Sequence, residues 1–95
     1  MANSLLGRVA VITGGAGGIG RASALALGDM GAKVVIADIS IDAARKVADG
    51  LNSDGLEAHA VQVDVVDEAS VKAMVEEAKD VFGRVDILYA NAAAL

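Results

Sequence analysis

The sequence predicts a doubly wound α/β fold, a parallel sheet with helices packed on both of its faces. Three observations carry that reading. Short apolar runs alternate with segments of helical periodicity, in the order β-α-β-α-β-α-β. The runs are built mostly from Val, Ala, Ile and Leu, as strands buried on both faces are. A glycine cluster, Gly14-Gly15-Ala16-Gly17-Gly18-Ile19-Gly20, joins the first run to the first helical segment. Strands that alternate with helices are parallel and joined by right-handed crossovers. The expected strand order is 3-2-1-4, with the sheet cut off after its fourth strand.

Each element has its own signal. Met1 to Leu6 is a short lead-in, and Val9 to Ile12 is the first buried strand. Ile19, Ala22, Ala26 and Met30 recur at helical spacing, and Gly31 is placed to end that helix. Gly28 inside it is unfavourable by about 1 kcal/mol against Ala, so it points to close packing on the sheet. Lys33 to Asp38 is a second buried strand. Ser40 is a good N-cap with Asp42 in the first turn, and Ala44, Val47, Ala48 and Leu51 form an i, i+3, i+4, i+7 stripe. Asn52 to Gly55 is turn chemistry. Ala58 to Asp64 alternates in part, with His59, Val61 and Val63 on one face, which suits a strand at the sheet edge. Asp67 can cap the third helix, whose stripe is Val71, Met74, Val75, Ala78 and Phe82. Lys72, Glu76 and Lys79 lie off that stripe at pairing distance. Gly83 ends the helix, and Ile87 to Ala90 is the fourth strand. That strand is apolar on both faces, yet it falls at the other edge with nothing following to cover it. The chain reads as the first half of a larger domain.

Composition sets outer bounds. The 95 residues make one domain, 1–95, and read as a partial one. With 55% hydrophobic and 2% aromatic residues, small aliphatic side chains must fill the core. A net charge of −5 argues against a nucleic-acid partner. The absence of cysteine leaves no disulfide framework and no thiolate metal site, and it is compatible with a cytoplasmic setting. No apolar stretch is long enough to predict a membrane span, and the N-terminus lacks the pattern of a signal peptide. His59 has no partner at ligand spacing, so no metal site is expected.

The glycine cluster carries the chemistry. Gly15, Gly17 and Gly20 fit G-x-G-x-x-G, while Gly14, Gly18 and Gly20 fit T-G-x-x-x-G-x-G with Thr13 in place. Backbone N–H groups at such a turn, opening onto a helix dipole, suit a phosphate. A P-loop is excluded, because Arg21-Ala22 follows Gly20. Asp38 ends the second strand about 20 residues past the glycines, where a dinucleotide site carries the acid that binds the ribose. Its charge repels a 2′-phosphate, so NAD is expected over NADP. The plainer alternative is a strand-ending Asp that caps the next turn.

Taken together, Thr13-Gly14-x-x-x-Gly18-Ile19-Gly20, Asp38, Asp64-Val65 and Asn91-Ala92 resemble the short-chain dehydrogenase/reductase family, along essentially the whole chain. The resemblance implies a Rossmann-like fold and hydride transfer between a nicotinamide and an alcohol or carbonyl carbon. It implies that Gly14, Gly18, Ile19 and Gly20 meet the pyrophosphate. Asp38 and Ile39 would meet the adenosine ribose and the adenine side, Asp64 and Val65 would bracket the adenine, and Asn91 would stand near the cofactor and the central sheet. The family's Asn-Asn-Ala-Gly motif reads Ala90-Asn91-Ala92-Ala93 here. The family's catalytic Ser, Tyr-x-x-x-Lys pair and further Asn have no counterpart, since the sole tyrosine, Tyr89, is followed four residues later by Ala93. No catalytic residue is therefore assigned, and the chain alone is expected to be inactive. Two alternatives stand beside this reading. One is a binding or interaction module that self-associates through the open fourth-strand edge and an uncovered apolar face of the third helix. The other is a nucleotide-handling α/β protein of another kind, such as a methyltransferase fragment.

Overall fold

The computed structural model describes residues 4–91. The strands are β1 (Val9–Thr13), β2 (Lys33–Asp38), β3 (Ala58–Gln62) and β4 (Ile87–Ala90). The helices are α1 (Gly18–Asp29), α2 (Ile41–Ser53) and α3 (Glu68–Phe82). The strands form one parallel sheet in the order β3-β2-β1-β4, as expected. Registers run Val9↔Lys33 to Thr13↔Ala37, Val34↔Ala58 to Asp38↔Gln62, and Ala10↔Ile87 to Thr13↔Ala90.

The apolar continuity of the first two strands has a simple cause. Ala10, Ile12, Val34 and Ile36 face Ala24 of α1 and Ala44, Ala48 and Leu51 of α2. Val9, Val11, Val35 and Ala37 face the other way, toward Met74 and Ala78 of α3. With helices on both faces, neither side of β1 or β2 can be polar. β3, at the edge, is only partly buried along Ala58–Ala60.

Caps fall where the sequence places them. Ser40 Oγ accepts the Ala43 N–H at 3.2 Å, and Asp67 Oδ1 accepts those of Ala69 and Ser70 at 3.0 and 3.4 Å. Gly83 ends α3 in the left-handed conformation, at φ +85°. Asn52 closes the start of β3: its side chain donates to the Ala58 carbonyl at 3.0 Å and accepts the Ala58 N–H at 2.8 Å.

Some expectations need correction. The buried face of α1 is Gly20, Ala24 and Gly28, not the stripe Ile19, Ala22, Ala26 and Met30. Ile19 is 69% exposed. A Cβ on Gly28 would lie 2.6 Å from Leu56 Cδ1, so Gly28 packs against the loop ahead of β3 and not, as expected, on the sheet itself. The α3 stripe is not an uncovered surface, since Met74 and Ala78 are buried and Val71, Val75 and Phe82 pack against the same core. Nor do Lys72, Glu76 and Lys79 pair among the described residues. Instead Glu77 meets His59 Nε2 at 2.6 Å across to β3. The tail beyond Asn91, including Ala92 and Ala93 of the four-residue motif, lies outside the described residues.

Candidate functional site

The carboxyl ends of all four strands share one edge of the layer, and order reverses between β2-β1 and β1-β4. Ligands of open α/β sheets sit at that crevice. The glycine turn, Asp38, Asp64 and Asn91 all leave strands at this end.

The glycines divide the work, which the sequence alone left between two frames. Gly14 turns the chain out of β1 at φ +66°, a backbone that only glycine adopts without strain. Gly15 is buried against β2, where an added Cβ would lie 2.8 Å from Ile36 Cγ2. At Gly20 an added Cβ would run into the Gly14 carbonyl oxygen and lie 2.7 Å from Gly15 Cα. Gly20 thus supports the turn from beneath. Gly18 faces open space, with nothing within 4 Å of its added Cβ. A group can approach the backbone there as closely as glycine allows.

The start of α1 differs from those of its neighbours. Its N-cap, Gly17, makes no side-chain cap bond, and the first turn carries no acid. α2 and α3 have both. The first-turn N–H groups of a helix have no intrahelical partner, so α1 presents amides and the positive end of its dipole at Gly18 and Ile19. Asn91 braces the turn from β4, donating from Nδ2 to the Gly14 carbonyl at 3.3 Å.

Beside the turn lies a cavity of about 270 Å³ lined by Gly14, Asp38, Ile39, Val63, Asp64, Val65 and Val66. Five of these are sequence-predicted residues. Gly18, Ile19, Gly20 and Asn91 are not in its wall. Val63 and Val66 were missed. Val66 carried a signal, since it is apolar and belongs to no periodic stripe, and it is 73% exposed. Ile39 is also well exposed, at 62%. The loop 64–67 is held in shape: Ser70 Oγ accepts the Asp64 N–H at 2.9 Å, Asp64 Oδ1 accepts the Val66 N–H at 3.2 Å, and the Asp64 carbonyl accepts the Asp67 N–H at 3.0 Å. Asp38 shows the bond of its plainer reading, with Oδ1 accepting the Ser40 N–H at 3.1 Å. It also reaches the glycine turn, with Oδ2 accepting the Ala16 N–H at 3.2 Å. Among the described residues no cluster of His, Cys, Asp and Glu could hold a metal ion, and no helix is long and apolar enough to cross a membrane.

Comparison with known proteins agrees with this arrangement. A family model described as short chain dehydrogenase matches residues 8–95. An uncharacterized oxidoreductase of Thermotoga maritima is 45% identical over 91 residues, covering 96% of this chain and 36% of the relative. A cis-4-hydroxycyclohexanecarboxylate dehydrogenase of Sinomonas cyclohexanicum is 46% identical over 92 residues, covering 97% and 36%. Among solved structures, a hydroxysteroid dehydrogenase from Escherichia coli superposes with a TM-score of 0.90 at 39% identity, over 95% of this chain and 38% of that one. The chain spans about a third of the length of the relatives it matches. With the glycine turn, the strand order and the matched length in agreement, the chain belongs to the short-chain dehydrogenase family.

Proposed function

We propose that residues 1–95 form the NAD-binding portion of an oxidoreductase that moves hydride between a nicotinamide and an alcohol or carbonyl carbon. Family membership implies a nicotinamide dinucleotide, and it leaves the methyl-donor alternative without support. The observation that carries the reading is the juxtaposition of the cavity with an uncapped α1 start. The pyrophosphate would lie against the amides of Gly18 and Ile19, over the turn supported by Gly14 and Gly20. The adenine would sit between Ile39 and Val65, with Asp64 accepting from its amino group. At about 270 Å³ the cavity lies just below the usual range of ligand pockets, about 300–1,000 Å³, so it would take only part of a dinucleotide. Asp38 accepts from the ribose hydroxyls and repels a 2′-phosphate, so NAD is preferred over NADP. The bound cofactor supplies hydride chemistry. This chain's residues hold its adenosine half, and no acid or base for the substrate oxygen is assigned among them.

Calorimetric titration of the purified chain with NAD, NADP and a methyl donor tests the proposal. Tighter binding of NAD than of the other two is expected. Equal or tighter binding of the methyl donor would overturn the reading, and tighter NADP would overturn the role of Asp38. No NADH should form with a broad panel of alcohols.

A second reading concerns assembly and rests on β4. Leu88 is 53% exposed and Tyr89 is 38% exposed, on opposite faces of that strand. We propose that this apolar edge pairs with another copy of the chain.

A further inference from the structure

We infer that Asp38 is also a positioning residue for the glycine turn, so that the side chain set against the ribose governs how the backbone meets the pyrophosphate. The inference rests on the dinucleotide reading above and adds a coupling within it. The Ala16 N–H donates to Asp38 Oδ2 at 3.2 Å, and the Gly15 N–H donates to the Ala37 carbonyl at 3.1 Å. These neighbouring bonds stitch the turn to the end of β2, two residues before α1 begins at Gly18. From the other side the Ser40 N–H holds Oδ1 at 3.1 Å, and Ser40 is the N-cap of α2. The carboxylate is a strut between the approaches to two helices.

Only a carboxylate serves both amides. Its two oxygens are acceptors with about four lone-pair sites, enough for Ala16, Ser40 and the ribose hydroxyls together. An Asn at this position has one acceptor oxygen and one NH₂ group. If the oxygen keeps the local turn to Ser40, as Asx turns do, the NH₂ faces the Ala16 N–H, donor against donor. A Ser side chain is too short to reach both. A change at position 38 that removes the repulsion of a 2′-phosphate therefore also releases the turn. Affinity at the pyrophosphate then falls for NAD and NADP alike.

The comparison that decides this uses adenosine and ADP-ribose as probes of the purified chain and of Asp38→Asn. Adenosine meets only the base and ribose positions, while ADP-ribose adds the pyrophosphate. A residue acting on the ribose alone weakens both probes by the same factor. A positioning residue weakens ADP-ribose by a further factor of about three to ten, the scale of one net hydrogen bond. Equal losses overturn the inference. A second readout needs no ligand. Amide exchange at Ala16 should accelerate in Asp38→Asn while Val11 and Val35 in the sheet stay protected, and an unchanged Ala16 rate also overturns the strut. If the variant loses protection throughout, the unmodified chain decides: the Ala16 amide should exchange slowly for a loop position, and unprotected exchange there would end the proposal. If neither probe binds the unmodified chain, the dinucleotide reading fails while the exchange measurement still judges the strut.

Discussion

The Asp86 carboxylate accepts the backbone N–H of Val9 at 2.9 Å, and the Asp86 N–H donates back to the Val9 carbonyl at 2.9 Å. The start of β4 is thereby clamped to the first residue of β1. The same carboxylate receives Arg84 Nη2 at 2.7 Å and Arg8 Nη1 at 3.3 Å. The Arg84 hydrogen bond, followed by the Val9 amide, holds its pKa down at about 2, against an ordinary 3.8. The same contact raises Arg84. A carboxylate depressed on folding stabilises the fold above its unfolded pKa, and that contribution is lost as pH falls through the folded one. For Asp86 the window runs from about pH 4 down to about pH 2. Asp86→Asn should be less stable than the parent at neutral pH and should lack this part of the acid loss. Urea unfolding of both proteins across the window checks it, and parallel profiles would remove Asp86 as a source of acid sensitivity.

Two glycine substitutions should separate folding from binding. Gly20→Ala drives a methyl group into the Gly14 carbonyl and should destabilise the chain by about 1–3 kcal/mol, the usual range for overpacking. Gly18→Ala adds a methyl group to open space. Its melting temperature should stay close to that of the parent while affinity for ADP-ribose drops about tenfold or more, because the methyl group occupies the approach to the α1 amides. Equal effects of the two substitutions on stability would contradict the division of roles.

Gly28 and Leu56 should be energetically coupled. In the parent, Gly28→Ala gains helix propensity but meets Leu56 Cδ1. In a Leu56→Ala background the obstruction is gone, and the same change should stabilise by up to about 1 kcal/mol. A double-mutant cycle on denaturation free energies should show non-additivity above about 0.5 kcal/mol. Strict additivity would mean that Leu56 moves aside freely.

The self-association proposal predicts a concentration-dependent rise in sedimentation coefficient. Leu88→Lys places a charge on the exposed β4 edge and should shift the chain toward monomer. A parent that sediments as a clean monomer at every concentration would remove the proposal.

The strands and their order were legible because burial on two faces leaves uninterrupted apolar runs, as in Val34-Val35-Ile36-Ala37. The caps at Ser40 and Asp67 and the stop at Gly83 were legible for a similar reason, since each rests on a local rule. The packed face of α1 was not. Apolar periodicity credits Ile19 and Met30, whereas this helix packs through Gly20, Ala24 and Gly28, whose value lies in what they leave out. The candidate site was readable as residue types at strand ends, Asp38 and Asp64 above all. The bond from Ala16 to Asp38 and the bond from Val9 to Asp86 were not, because each joins a backbone amide to a side chain far along the chain.

Asn52 gives the sheet a direction. In a parallel ladder, alternate residues turn their backbone groups away from the partner strand, and on β3 these are Ala58, Ala60 and Gln62. Asn52 has already taken both groups of Ala58. An incoming strand would find Ala60 and Gln62 left to pair with on that side, and nothing at the start of β3. The β4 side offers no comparable stopper among the described residues. A strand that joined this unit beside β3 would therefore meet a ladder already closed at its first residue, and one that joined beside β4 would not.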